Sequence, residues 1–142
     1  MLQDGPHIIT TITGLNLFIP LGARAGSPVQ AMHGPQPSPI LVKNLGGDKY
    51  SLTPMDSTDM PGHLVLGAHR DAMPHMVVLI PSGTEEYTEW AIDQNGPNQY
   101  TIHPTSGPGN EYWTAQEGSP IELKEAQGLP TQSWNINPLL MD

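Results

Sequence analysis

Tyr50-Ser51-Leu52-Thr53-Pro54 returns fifty residues later as Tyr100-Thr101-Ile102-His103-Pro104. Each copy opens on an aromatic ring, alternates polar and apolar side chains, and stops at proline. A period of two is the pattern of a half-buried strand, and proline ends it. Further matches lie outside this pair. Trp90-Ala91-Ile92 matches Trp134-Asn135-Ile136, and Gly26-Ser27-Pro28-Val29-Gln30 matches Gly118-Ser119-Pro120-Ile121-Glu122. Leu21-Gly22-Ala23-Arg24 matches Leu66-Gly67-Ala68-His69-Arg70. Read in order, these matches link three thirds of the chain, and self-similarity at such a period points to a fold built of repeats.

Twelve short β-type runs, each closed by turn residues, fill the 142 residues. They are 7–13, 15–19, 29–32, 40–44, 50–53, 64–66, 76–80, 90–93, 100–103, 112–115, 121–124 and 134–136. No stretch reads as a significant helix; Lys124-Glu125-Ala126-Gln127 favours one but meets Gly128 at once. Gly and Pro are spread along the chain as punctuation. The expectation is an all-β fold, a single β-trefoil domain over 1–142 with four-strand repeats near 5–48, 49–98 and 99–138. Six strands would close a barrel and six would cap it as hairpins, which removes exposed sheet edges without disulfides. Trp90, Trp134, Tyr50, Tyr100, Ile92, Ile102 and Ile136 are the expected core. The competing readings are the monotony of any strand-and-turn chain and, for the aromatic residues, a ligand-stacking stripe.

Composition removes several functions. The net charge is −9 with only five basic residues, Arg24, Lys43, Lys49, Arg70 and Lys124, none of them neighbours. A phosphate-tracking surface or a polybasic membrane patch needs clustered cations, so neither nucleic acid nor membrane is an expected partner. With no cysteine, disulfides and thiolate sites are impossible, which favours a reducing compartment. The first residues lack a basic stretch followed by an apolar run, and no apolar stretch reaches membrane-spanning length. The expected location is cytoplasmic.

On a closed barrel the loops carry function. Arg24 stands among small residues in Pro20-Leu21-Gly22-Ala23-Arg24-Ala25-Gly26-Ser27-Pro28, between the second and third runs. A long cation suits the S1 slot of trypsin-like proteases, which has a carboxylate at its base. Ala23 and Ala25 would let the backbone lie close to a protease. Gly22 and Gly26 loosen the loop, so the scaffold must hold it. The bland alternative is a solvated surface arginine. Arg70, in Gly67-Ala68-His69-Arg70-Asp71, is a second candidate, although Asp71 is placed to pair with it. The third corresponding loop, Gln116-Glu117-Gly118-Ser119, has no cation.

Six histidines show no ligand spacing, so no metal site and no cofactor is expected. No nucleophile-elbow motif or catalytic triad is present, and no enzymatic activity is expected. The carboxylate pairs Glu85-Glu86 and Asp56 with Asp59 read as solvated charge. Gln132-Ser133-Trp134 is a Q-x-W triplet of the kind found in ricin-type lectin repeats. The second unit has Thr88-Glu89-Trp90 and the first has nothing comparable at Ile40-Leu41-Val42. A structural role for Trp134 is the expected one.

Asp4-Gly5-Pro6-His7-Ile8-Ile9, Trp90-Ala91-Ile92, Tyr100-Thr101-Ile102, Trp113-Thr114, Ile121-Glu122-Leu123 and Trp134-Asn135-Ile136-Asn137-Pro138-Leu139 together resemble the mushroom trefoil protease inhibitors, the cospin-like and mycocypin group. The resemblance implies a small cysteine-free trefoil of fungal defence. Its serine-protease inhibitors present the loop between strands two and three, which implies Gly22, Ala23, Arg24, Ala25, Gly26 and Ser27 here, with Arg24 as P1. The route between strands eleven and twelve would fall on Ala126-Gln127-Gly128-Leu129-Pro130, which lacks a cation. Papain-type inhibition would use Thr13-Gly14 and Gly34-Pro35-Gln36-Pro37-Ser38, and the first is very short. Asparaginyl-endopeptidase inhibition needs an Asn that Met55 to Gly62 lacks. Plant Kunitz trefoils use the connection that is here Gly46-Gly47-Asp48, and carry disulfides.

The expected function is therefore inhibition of a secreted or digestive trypsin-like serine protease through Arg24. The alternatives are a ricin-B-type lectin binding glycans, an inhibitor of papain-like cysteine proteases, and a structural or storage trefoil without a partner.

Overall fold

The structure is a computed structural model and describes residues 3–20, 24–34, 37–47, 49–55, 64–71, 75–81, 83, 86–105, 111–125 and 130–139. Its strands are β1 (Gly5–Thr11), β2 (Asn16–Phe18), β3 (Gln30–Met32), β4 (Ile40–Gly46), β5 (Lys49–Pro54), β6 (Leu64–Gly67) and β7 (Val78–Pro81). They continue as β8 (Trp90–Gly96), β9 (Gln99–Pro104), β10 (Glu111–Thr114), β11 (Ser119–Pro120), β12 (Glu122–Glu125) and β13 (Trp134–Pro138). Every expected run overlaps a strand. The additions are the two-residue β11, which pairs with β3, and a 3-10 turn at Pro130–Gln132.

Six strands close a barrel in the order β1-β4-β5-β8-β9-β13, and β13 returns to β1. The β2–β3, β6–β7 and β10–β12 hairpins complete the architecture. Register makes the internal likeness explicit. Ile40 faces Pro54 and Val42 faces Leu52 in β4–β5; Trp90 faces Pro104 and Ile92 faces Ile102 in β8–β9. In both pairs the register shifts near the turn, between Asn44 and Gly46 and between Gln94 and Gly96. The closing pair sets Trp134 against Thr11 and Ile136 against Ile9. Across the other seams His7 faces Ile40, Tyr50 faces Trp90 and Tyr100 faces Trp134.

The core follows from the alternation. Ile9, Leu52 and Ile102 point inward at matching places on β1, β5 and β9 and are fully buried. Trp113 lies between Trp90 and Trp134, edge to face, with ring centroids 5.3 and 5.7 Å away. The Trp90 indole N–H donates to the Leu66 carbonyl (2.9 Å), and the Trp134 N–H donates to the Trp113 carbonyl (3.2 Å). Leu66 and Trp113 occupy matching positions, opposite Leu79 and Leu123. Of the expected core, Tyr100 is only half-buried and packs against its edge; the other six residues are buried.

One of the sequence matches is out of register. Leu17 faces Ala31 as Leu66 faces Leu79, so Leu66 corresponds to Leu17 rather than to Leu21. The segment from Leu17 to Ala31 is one residue longer than that from Leu66 to Leu79. Local likeness between Leu21-Gly22-Ala23-Arg24 and Leu66-Gly67-Ala68-His69 is therefore coincidental.

Candidate functional site

Arg24, Ala25, Gly26 and Ser27 form a four-residue turn between β2 and β3; Gly22 and Ala23 lie outside the described residues. The Ser27 amide donates to the Arg24 carbonyl (2.9 Å). The Arg24 amide donates to Ser27 Oγ (3.0 Å), so both backbone groups of Arg24 are engaged by one residue. Gly26 has φ +91, a conformation that only glycine adopts readily. The residue that loosens the unfolded loop is thus the one the folded turn requires.

The far side of the turn is fastened to β7. The Gly26 amide donates to the Leu79 carbonyl (2.7 Å), and the Leu79 amide donates to the Ser27 carbonyl (2.9 Å). Arg24, Ala25 and Gly26 are exposed, while Ser27 and Pro28 are half-buried. Arg24 makes no ion pair among the described residues.

The same turn recurs in the third unit without the cation. The Ser119 amide donates to the Gln116 carbonyl (3.0 Å), the Gly118 amide donates to the Ala31 carbonyl (2.9 Å), and Gly118 has φ +73. Arg24 is what distinguishes the first copy. In the second unit, counting back from Val77 as from Val29, the position of Arg24 falls on Ala72, outside the described residues. Arg70 is two positions upstream, so it is not the counterpart of Arg24.

His69, Arg70 and Asp71 are exposed, but the expected Arg70–Asp71 pair does not form. The Arg70 guanidinium sits over the Tyr87 ring, 5.4 Å from its centroid, an attraction of the cation to the ring's negative face. Glu86 takes the role expected of Asp71. It accepts from His69 Nδ1 and, at 3.4 Å, from the Arg70 amide. The His69 hydrogen bond chiefly holds the Glu86 carboxyl below its ordinary value of 4.5, outweighing the opposing effect of desolvation. His75 then ties this loop to the third unit, with Nδ1 3.0 Å from Glu111 Oε1 and Nε2 3.3 Å from the Arg70 carbonyl oxygen.

Other histidines also face carboxylates: His103 meets Asp93 at 3.1 Å and His33 meets Glu117 at 3.7 Å. Among the described residues no group of three or more His, Asp or Glu is gathered to hold a metal ion.

The Q-x-W triplet faces inward. Gln132 Nε2 donates to Thr114 Oγ1 (3.1 Å) and to the Glu125 carbonyl (2.8 Å), clamping β10 to β12. Trp134 is fully buried. Neither side chain offers a surface to a sugar.

Sequence reading missed Leu79, which anchors the turn from more than fifty residues away and carries no local signal of that role. It also missed the outward face of β4, where Leu41 and Leu45 stand 42% and 43% exposed. Apolar residues at the outward positions of an alternating strand were the available signal.

No family model matches the sequence, and no curated protein matches it. Solved structures do. A designed threefold-symmetric protein, ThreeFoil, is similar with a TM-score of 0.74 and 16% identity, over 96% of this chain and 100% of its own. The ricin B-like lectin of Macrolepiota procera, solved in complex with lactose, is similar with a TM-score of 0.70 and 16% identity, over 98% and 99%. The BEL β-trefoil has a TM-score of 0.73 and 12% identity, over 98% and 97%. The chain is a β-trefoil, and its structural neighbours include lectins.

Proposed function

We propose that this β-trefoil inhibits trypsin-like serine proteases by presenting Arg24 as a substrate-like P1 residue. One observation carries the reading: an exposed cation, unpaired among the described residues, on a turn whose following residues are hydrogen-bonded to β7. Holding the turn in the folded protein lowers the ordering cost of binding. The resemblance to the cospin-like mushroom inhibitors supports the same loop.

The guanidinium fills S1 and meets the carboxylate at its base. The Arg24 amide keeps its bond to Ser27 Oγ, while the carbonyl oxygen has a second lone pair to offer the protease. Attack on the Arg24 carbonyl would release the amine of Ala25. Gly26 and Ser27 remain bonded to Leu79, so that amine stays beside the acyl group and the bond can re-form.

The papain-type alternative has a tight turn at its first loop, where the Gly14 amide donates to the Thr11 carbonyl at 3.2 Å. A lectin acting through Gln132-Ser133-Trp134 would find both Gln132 and Trp134 buried. Titration of trypsin activity with wild type, Arg24→Ala, Arg24→Lys and Arg70→Ala tests the proposal. Stoichiometric inhibition is expected from wild type, Arg24→Lys and Arg70→Ala, with a loss of about 100-fold or more in Arg24→Ala, the cost of emptying a buried charge site. Undiminished inhibition by Arg24→Ala, or none by wild type, rejects it.

A further inference from the structure

The outer face of β4–β5 differs from its counterpart fifty residues on. In β8–β9 the outward groups close on each other, since Asp93 Oδ2 lies 3.1 Å from His103 Nε2. The corresponding residues of β4–β5 are Lys43 and Thr53. Neither makes a side-chain hydrogen bond or ion pair among the described residues, and the same holds for the neighbouring Ser51 and Thr88. Across β8–β9 the polar side chains pair, whereas on β4–β5 they have no such partner among the described residues.

These groups line a groove of about 350 Å³ between Lys43, Ser51 and Thr53 on one side and Thr88 and Glu89 on the other. Leu45 and Val65 supply an apolar wall. Three of the four large hydrophobic side chains exposed among the described residues, Leu41, Leu45 and Met55, lie on β4 or at the end of β5. The volume is at the lower end of small-molecule sites, which begin near ~300 Å³.

The lining specifies the ligand's chemistry. Three hydroxyls can each donate and accept, Lys43 donates and Glu89 accepts. Thr105 Oγ1 donates to Glu89 Oε1 at 3.4 Å, leaving the second carboxylate oxygen available. One cation and one anion offset each other, so a net charge on the ligand gains nothing. A ligand matching this pattern carries several adjacent hydroxyls on one side and a C–H face on the other. We infer that the groove binds a neutral saccharide ring, at a site separate from the Arg24 turn and from the buried Gln132 and Trp134.

Amide NMR spectra of the full chain, titrated with glucose, galactose, mannose and N-acetylglucosamine to about 50 mM, test this in the range of weak single-site binding. At least one sugar should give saturable shifts centred on Leu45, Ser51, Thr53 and Thr88. Thr53→Val keeps shape and strand preference while removing one hydroxyl, and should weaken that sugar about five- to tenfold. Arg24→Ala should leave the sugar shifts unchanged, which keeps this test independent of protease inhibition. No saturable shift with any of the four sugars, shifts centred elsewhere, or unchanged affinity in a folded Thr53→Val protein overturns the inference.

Discussion

The Val29 amide donates to the Val77 carbonyl at 2.9 Å, and this bond is one side of a closed ring. The Val77 amide donates to the Ile121 carbonyl (2.8 Å), and the Ile121 amide donates back to the Val29 carbonyl (2.9 Å). All three side chains are fully buried. The ring joins the three repeated segments where their third strands begin, so each segment supplies one donor and one acceptor to the others. Buried backbone groups must be paired, and here the pairing makes the segments depend on one another. The Arg24 turn ends two residues before this ring, so a rigid part of the fold sets its position.

Ser27→Ala tests that fastening. It removes the hydroxyl that accepts from the Arg24 amide while leaving the Leu79 bonds in place. Stability should fall by no more than about 1 kcal/mol, the worth of an ordinary hydrogen bond. Trypsin inhibition should weaken about tenfold, and mass spectrometry should show faster cleavage at Arg24–Ala25, because the two sides of that bond lose a bridge. Inhibition and cleavage equal to wild type would mean that the protein surface, rather than the turn, supplies the rigidity.

The tryptophans should separate by their hydrogen bonds. Trp90 and Trp134 donate to carbonyls, whereas Trp113 Nε1 is buried without a partner among the described residues. Replacing Trp90 or Trp134 by Phe strands a buried carbonyl, which costs about 1–3 kcal/mol beyond the lost volume. Trp113→Phe removes an unpaired donor instead. Urea denaturation should rank Trp113→Phe as the mildest of the three, and the reverse order would show that cavity volume dominates.

Gln132 acts as an internal clamp. Gln132→Ala withdraws donors from Thr114 and from the Glu125 carbonyl in one step. A loss of about 2–4 kcal/mol is expected, combining the unpaired acceptors with the emptied space. A loss below about 0.5 kcal/mol, the range of ordinary surface changes, would show that the clamp contributes little.

Glu86 gives a pH dependence with a definite sign. Its folded pKa lies below the ordinary 4.5, chiefly through His69, so the folded state favours the ionised form. The resulting stability is present above that ordinary value and is lost as pH falls through the lowered one. Relative to Glu86→Gln, wild type should keep its full advantage near about pH 5.5 and lose it progressively below about pH 4.5. Thermal melts of both proteins across this window check it; an advantage that persists unchanged to about pH 3 would exclude Glu86 as its source.

Much of the fold was legible because it rests on local signals. Alternation in Tyr50-Ser51-Leu52-Thr53, proline at Pro54 and Pro104, and glycine at Gly26 and Gly118 are properties of a few adjacent residues. They mark strands and turns wherever they occur, and their recurrence in order implied the trefoil. Arg24 was legible as a lone cation among small residues for the same reason.

Sequence by itself determined the twelve strand segments, their repeated order, the lack of thiol chemistry and the presence of an unclustered cation in the loop after the second strand. Tertiary structure decided what those segments touch. Leu79 fastens the Arg24 turn, Glu86 rather than Asp71 serves the Arg70 loop, Gln132 is spent inside, and Lys43 and Thr53 face an open groove. These relations depend on register between distant strands. The apparent match of Leu21 with Leu66 fails because pairing across the hairpins aligns Leu66 with Leu17, and even a one-residue slip along a strand exchanges its inner and outer faces. Periodicity shows that a strand has two faces, while only closure of the barrel decides what each face meets.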